Sequence, residues 1–487
     1  MAVAGRYNIG KPQVILIAGI LFGFLLILFF RNFGPTYGTF LTFGMTIPLA
    51  ITIVGNAKRF LWAILIICLP ITVDISLSSA EYIEHISGTS GYLLSLFEMV
   101  LAGLYVIWFA EMARGKAMSI NFFPRITIPA VFLIGIAALS MVFARYPFLS
   151  GFEIIEVLKM YFCFLYLANN IKSESDIRFV VTFLVFGLLF EGILGFAQHR
   201  YSESFWPTAL GGPPWIDDRI SGTWVSPNDF AWYLTFILPI ALSLVFSGIR
   251  PIYKLVCGIT FLLCGGSLMW SNSRGGWVSL GIAILFVSLF LFNKIKGKKG
   301  LINTFVWSVF ILILISPLFP RLSAKVVGRF AGADRGAAES RLPQYDVACR
   351  IIGSNPIIGV GINNYTEVMH DYDITKEGLE TITSHAVHNI FLNIAAEMGI
   401  LGFVIFIWFI TAIFVEGMTS ISSNSNSGFV VYAVIGMLGG LMAFLVHGLV
   451  DIASPGSKLF MFVWFFAGII CAIKNIVVTN PASKSPS

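Results

Sequence analysis

Between residues 429 and 450 the chain passes without a single Lys, Arg, Asp or Glu, and similar runs recur from residue 13 to residue 476. A bilayer takes about 20 apolar helical residues to cross, and in lipid every backbone polar group must be satisfied within the chain. This feature confines the chain to an all-α polytopic membrane fold. Only 11% of the residues are charged, against about 25% in soluble domains, so no block can clothe a soluble surface.

Fourteen spans are expected, near residues 13–30, 37–54, 60–73, 92–112, 126–143, 154–170, 179–198, 229–246, 255–270, 277–292, 301–319, 399–415, 429–450 and 459–476. The run at 60–73 is short and is expected to extend toward Ser78. The first run lacks a small-x-small cleavage site and reads as an uncleaved helix. The chain divides into N-terminal helices (1–143), central helices with arginine-bearing loops (144–319), one large loop with short helices (320–388) and C-terminal helices (389–487). Of six cysteines, five lie in apolar runs and Cys349 sits alone in the large loop, so no internal disulfide is expected.

Alternate loops differ in charge. One set holds Arg6, Lys11, Lys58, Arg59, Arg114, Lys116, Arg125, Lys172, Arg178, Arg250, Lys254, the lysines at 294–299, Lys474 and Lys484. The short loops of the other set hold only Arg31, Arg145, Arg200, Arg219, Arg274 and Lys458. Short cytoplasmic loops collect Lys and Arg, which places both termini in the cytoplasm and the large loop outside. The net charge of +6 is modest, and no nucleic-acid partner is expected.

Four outer segments are rich in polar residues. In "RISGTWVSPNDFAWYL", Arg219 and Asn228 flank a Gly/Pro-directed path. Arg219 reads either as a surface partner of Asp217 and Asp218 or as an anion ligand. In "SNSRGGWV", Arg274 stands between two apolar runs where topology gives no reason for it. The helix is expected to start at Trp277, with the glycines forming a turn that lets backbone N–H groups approach a phosphate. The plainer reading is an arginine snorkelling to headgroups. In "ESRLPQYDVACRIIGSNPIIGVGINNY", Arg341 opens a short helix ending near Gly353, followed by an irregular Gly-rich loop. Its arginines otherwise read as a solvated face. In "SHAVHNIFLNIAAEMGILGF", His388 and Asn389 precede a long apolar helix, where a histidine can take a hydroxyl proton or be merely structural.

"SRGGW", "RISGTWVSPNDFA", "NPIIGVGINNY" and "HNIFLNIAAEMGILGF", in this order, resemble the O-antigen ligase / O-antigen polymerase family of bacterial envelope glycosyltransferases. The resemblance covers about residues 144–415. His388 to Gly399 matches the family's His-x10-Gly motif. Arg274 matches its Arg-x3-Leu motif, with Val278 for the leucine. The resemblance implies a bacterial inner-membrane enzyme with a periplasmic site, working without cofactor or metal. It implies a glycan donor on undecaprenyl diphosphate and a hydroxyl acceptor, lipid A–core in the ligase branch and another lipid-linked repeat in the polymerase branch. His388 would be the base of an inverting transfer. Arg274 and Arg219 would hold the pyrophosphate, and Arg341, Asn228 and Asn389 would bind substrate.

Other readings rest on fewer residues. Asp371-x-Asp373 with His370, or His385 with His388, has metal-ligand character. Gly88–Gly91, "GTSG", has the form of an intramembrane serine protease. A lipid flippase is the rival from another class, with Glu191 and His447 lining a path and Glu156 paired with Lys159.

Overall fold

The computed structural model describes residues 56–71, 74–79, 88–115, 120–201, 219–294, 341–374, 386–423 and 428–479. The expected spans at 13–30, 37–54 and 301–319 lie outside them, as do Asp217, Asp218 and His385. In chain order the elements are α1 (Ala57–Cys68), β1 (Asp74–Ser79), β2 (Gly91–Ser95), α2 (Leu96–Ala113), α3 (Pro124–Met141), α4 (Pro147–Asn170), α5 (Glu174–Tyr201) and α6 (Pro227–Val245). They continue with α7 (Pro251–Trp270), α8 (Arg274–Lys294), α9 (Arg341–Ser354), α10 (Tyr365–Tyr372), α11 (Ile390–Ser423), α12 (Phe429–His447) and α13 (Lys458–Thr479).

Among the described residues, nine helices are long and apolar enough to cross a bilayer: α2, α3, α5, α6, α7, α8, α11, α12 and α13. The protein is a multi-pass, all-α membrane protein. In α6, α12 and α13 the spanning window is 83% buried, against 33–50% in the other six. These three form the centre, and α12 packs most extensively on α6. The outer helices turn Val106, Phe132, Phe186 and Val404 outward, each about half exposed. Lipid tails are as apolar as these side chains, so close backbone approach holds such a bundle together. At Gly440 an added side chain would lie 2.0 Å from the Phe236 carbonyl oxygen.

The expected span at 60–73 is corrected. Helix α1 has 12 residues, about 18 Å of rise, and does not run on toward Ser78. Pro70 has no N–H to continue it, and the next residues form β1, antiparallel to β2 with Asp74 opposite Ser95. Residues 92–95 of the following expected span are therefore strand. Helix α2 then starts from a capping box, in which Ser95 Oγ accepts from the Glu98 N–H and the Glu98 carboxylate accepts from the Ser95 N–H.

A second correction concerns residues 399–415. The helical chain starts earlier, at Ile390, and breaks at Gly399, where φ is 67° and ψ is −176°. That conformation is open in practice to glycine alone. The break frees backbone groups that the loop after α9 takes up. Val360 N–H donates to the Ala396 carbonyl at 3.0 Å, Gly361 N–H to Glu397 at 2.9 Å, and Ile400 N–H to Pro356 at 2.8 Å. The same loop reaches α4. The Asn363 amide donates to the carbonyls of Thr89 and Leu149 at 2.9 and 3.1 Å. Asn364 accepts from the Tyr146 N–H at 2.8 Å and donates to Ser150 Oγ at 3.1 Å. The motif "NPIIGVGINNY" is thus a clasp between the loop after α9 and the bundle.

An added Cβ at Gly399 would sit 2.1 Å from the Ile357 carbonyl oxygen. Gly399→Ala is expected to destabilise the protein by more than the 1–3 kcal/mol of backbone strain alone, roughly, read as a lower melting temperature in detergent. An unchanged melting temperature contradicts the clasp.

Candidate active site

The start of α11 is stitched to the turn after α12. Asn389 caps α11, its side-chain oxygen accepting from the N–H groups of Phe391 and Leu392 at 2.9 and 3.0 Å. Its amide donates to the Leu449 carbonyl at 3.1 Å, and Ile390 N–H donates to Gly448 at 2.8 Å. These bonds bring two residues 63 positions apart into contact, His388 Nδ1 lying 2.9 Å from Asp451 Oδ1. A carboxylate only accepts, so this contact assigns the proton to Nδ1 and leaves the Nε2 lone pair open. The His388 side chain is 27% exposed and that of Asp451 8%. The imidazole therefore faces an accessible space from a buried anchor.

Burial alone would raise the Asp451 carboxyl. The hydrogen bond from His388, the charges of both nearby histidines and the Ile452 N–H outweigh it and hold the pKa below its ordinary value. His447 Nε2 stands 3.9 Å from the other carboxylate oxygen, too far for a hydrogen bond. The His447 ring stacks on Trp232 at 4.4 Å and is 1% exposed. Asp229, in the first turn of α6, lies within charge range of Asp451.

Two expected arginines border this centre. Arg341 is the first residue of α9, acts electrostatically on His447 and Tyr345, and forms no ion pair among the described residues. Burial pushes the Tyr345 hydroxyl up, against Arg341 and a hydrogen bond to Asn389. Tyr345 donates to the His388 carbonyl at 3.3 Å. Arg274 opens α8, and its neighbour Gly275 touches the site: a Cβ there would meet His447 Cδ2 at 2.8 Å.

This corrects the expected glycine turn. Helix α8 starts at Arg274, not Trp277, and both glycines lie in its first turn. The turn residue is Asn272, at φ 55°, a conformation asparagine tolerates. Ser273 Oγ accepts from the Gly276 N–H at 3.4 Å as a weak cap. Gly275 serves the packing of α8 against His447, which sets Arg274 at the site's edge.

Arg219 has a placing role. Its Nε donates to the Ser271 carbonyl at 2.8 Å and a terminal nitrogen donates to Asn228 Oδ1 at 2.7 Å. It joins the end of α7 to the start of α6 and orients Asn228. The other singled-out residues are committed elsewhere. Glu191, fully buried, accepts from the Thr223 hydroxyl and N–H rather than lining a path. Glu156 pairs with Lys159 at 2.6 Å as expected. Asp371 pairs with Arg145. In "GTSG", Thr89 donates from both N–H and hydroxyl to Glu153. Among the described residues no three His, Cys, Asp or Glu side chains converge as metal ligands.

Asp451 and Asp229 are the residues that the sequence reading missed. The usable signal was spacing: His447 and Asp451 sit four apart where an apolar run ends, on the same expected side as His388.

Because the folded Asp451 carboxyl titrates low, its ionised form stabilises the fold. That contribution is complete above the unfolded value of about 4 and is lost as pH falls through and below it. The melting temperatures of wild type and Asp451→Asn should differ most near neutrality and converge below about pH 4. A gap that stays constant into acid contradicts an ionised Asp451.

Residues 259–407 match the family model described as O-Antigen ligase. No curated protein matches the chain. The matched segment runs from the middle of α7 through Arg274, Arg341 and His388 into α11. It carries three of the residues gathered at the site, while Asp451 lies beyond its end. Residues 259–407 are therefore similar to the O-antigen ligase family, within a multi-pass membrane protein.

Proposed function

We propose that the protein transfers a glycan from an undecaprenyl diphosphate carrier to a hydroxyl acceptor, lipid A–core in the ligase reading, with inversion at the anomeric carbon. The site faces the periplasm from the bacterial inner membrane, with both termini cytoplasmic. One observation carries the reading: His388 is held through Nδ1 by the buried Asp451 at 2.9 Å while its side chain stays 27% exposed.

In this reaction the acceptor oxygen bonds to the anomeric carbon as the bond from that carbon to the diphosphate oxygen breaks. His388 Nε2 takes the hydroxyl proton and later releases it to solvent. Asp451 orients the ring and stabilises the imidazolium that forms. The leaving lipid diphosphate gains negative charge, which Arg274 and Arg341 neutralise. Arg219 acts mainly by fixing Asn228 and the approach of α6 to α7. Asn389 acts through the cap that sets His388 in place.

Purified protein with a lipid-linked glycan and acceptor, in detergent and without any gradient, should form product, which a flippase would not. His388→Ala should fold normally and lose transfer. Asp451→Asn should lower kcat on the order of 100-fold with little change in donor KM. Arg341→Ala should mainly raise donor KM. Retained transfer by His388→Ala sinks the base assignment. Arg274→Lys at the native rate contradicts bidentate phosphate contact at that position.

A further inference from the structure

A pocket of about 300 Å³ opens between α5, α6 and α7, with the first residue of α12 in its wall. Val185, Phe186, Leu244, Tyr253, Val256 and Phe429 make its walls largely apolar. Phe186 and Tyr253 are each 48% exposed, so the pocket opens sideways, through the face that α5 and α7 turn to lipid. It lies far from the candidate active site. The stretches from Asp229 to Leu244 on α6 and from Phe429 to His447 on α12 rise by about 22 and 27 Å, close to the roughly 30 Å of a hydrocarbon core. The pocket therefore sits at the membrane boundary opposite Asp229 and His447.

Its mouth is cationic. Arg178 and Arg250 both line it, and among the described residues no carboxylate does. The Arg178 guanidinium lies over the Phe429 ring at 4.6 Å and donates to Glu174 Oε1 from Nε and a terminal nitrogen at 3.0 and 2.6 Å. Both partners of that pair are about half exposed, where an ion pair is weak. Arg250 has no ion-pair partner among the described residues, and the nearby Asp176 is committed to Arg59 at 3.3 Å. Glu174 thus offsets one of the two arginines from outside the pocket. Two helix N-termini add to the charge. Helix α7 starts at Pro251 and α12 at Phe429, and neither has a side-chain cap, so the positive ends of both face this mouth. Lys172 and Lys254 belong to the same boundary. Apolar walls behind two guanidinia match a ligand with an anionic head on a hydrocarbon chain. A soluble anion would leave the walls uncovered, and a lipid without net charge would leave the arginines unmatched.

We propose that this pocket binds an anionic phospholipid of the surrounding bilayer, in the leaflet opposite the candidate active site, with its phosphate at Arg178 and Arg250 and one acyl chain against Val185, Leu244 and Val256. Basic pockets between spanning helices take such headgroups, and a guanidinium matches the geometry of a phosphate. The bound lipid touches α5, α6 and α7 together and stabilises their packing at that boundary. The site is independent of the transfer reaction and holds whatever chemistry His388 performs.

Three probes separate the sources of such a head. Full-length protein in detergent is titrated with dioleoyl phosphatidylglycerol, dioleoyl phosphatidylcholine and soluble glycerophosphoglycerol, with bound ligand followed by native mass spectrometry and the melting temperature read in parallel. Phosphatidylglycerol should bind and raise the melting temperature, and the other two should do neither. Arg178→Gln together with Arg250→Gln should weaken phosphatidylglycerol binding about tenfold or more. Both side chains are exposed, so this double variant should fold. Val256→Trp, which fills the pocket and keeps both charges, should weaken binding as well; should it fail to fold, the double variant decides alone. Arg350→Gln, which removes a charge of α9 away from the pocket, should bind as wild type does. Equal binding of phosphatidylcholine marks an unselective apolar groove, and equal binding of glycerophosphoglycerol marks a site for free anions. Either result overturns the proposal, as does phosphatidylglycerol binding that is absent, unchanged in the double variant or in folded Val256→Trp, or equally weakened in Arg350→Gln.

Discussion

The break at Gly399 governs how the loop after α9 joins the helix bundle. A continuous helix from Ile390 to Ser423 would satisfy its own backbone and offer nothing to the loop beside it. One residue at φ 67° instead releases the groups that Val360, Gly361 and Pro356 take up. Once held, that loop extends Asn363 and Asn364 to the start of α4. The short segment between Asn389 and the break then has its position fixed at both ends. The eleven-residue offset from His388 to Gly399 is in this sense the distance from a cap to a clasp. In water such bonds would compete with solvent, but at a membrane boundary unsatisfied groups have few alternatives.

On this frame the candidate site centres on one buried carboxylate. Asp451 is buried yet ionised, a state that needs donors. His388 and the Ile452 N–H supply them. His447 adds a charge-range neighbour with no hydrogen bond of its own, packed flat on Trp232. Asp229 and Arg341 add charges within range of the same group, Asp229 of Asp451 and Arg341 of His447.

Much of this was legible in the chain. Uncharged runs gave nine spanning helices among the described residues, and the spacing of His388 and Gly399 marked a real geometric unit. Around Arg274 the local backbone was misjudged. The glycines looked like the turn, while the left-handed residue is Asn272 and Gly275 exists to admit His447. Period and composition report burial, not which helix lies opposite. The short hairpin escaped notice because six-residue strands carry little pattern beside long apolar runs. Asp451 escaped because "HGLVDIASPGS" reads as an ordinary loop, and only the tertiary fold shows that Leu449 and Gly448 dock on the start of α11. Arg219 adds what residue type does not show: its bonds to the Ser271 carbonyl and Asn228 join the end of α7 to the start of α6.

Glu153 has a mechanical meaning beyond its hydrogen bonds. One oxygen of this fully buried carboxylate holds Thr89, and the other accepts from the Gly456 N–H at 2.6 Å. Two loops far apart in sequence therefore hang from one carboxylate on α4. Neither can shift outward alone.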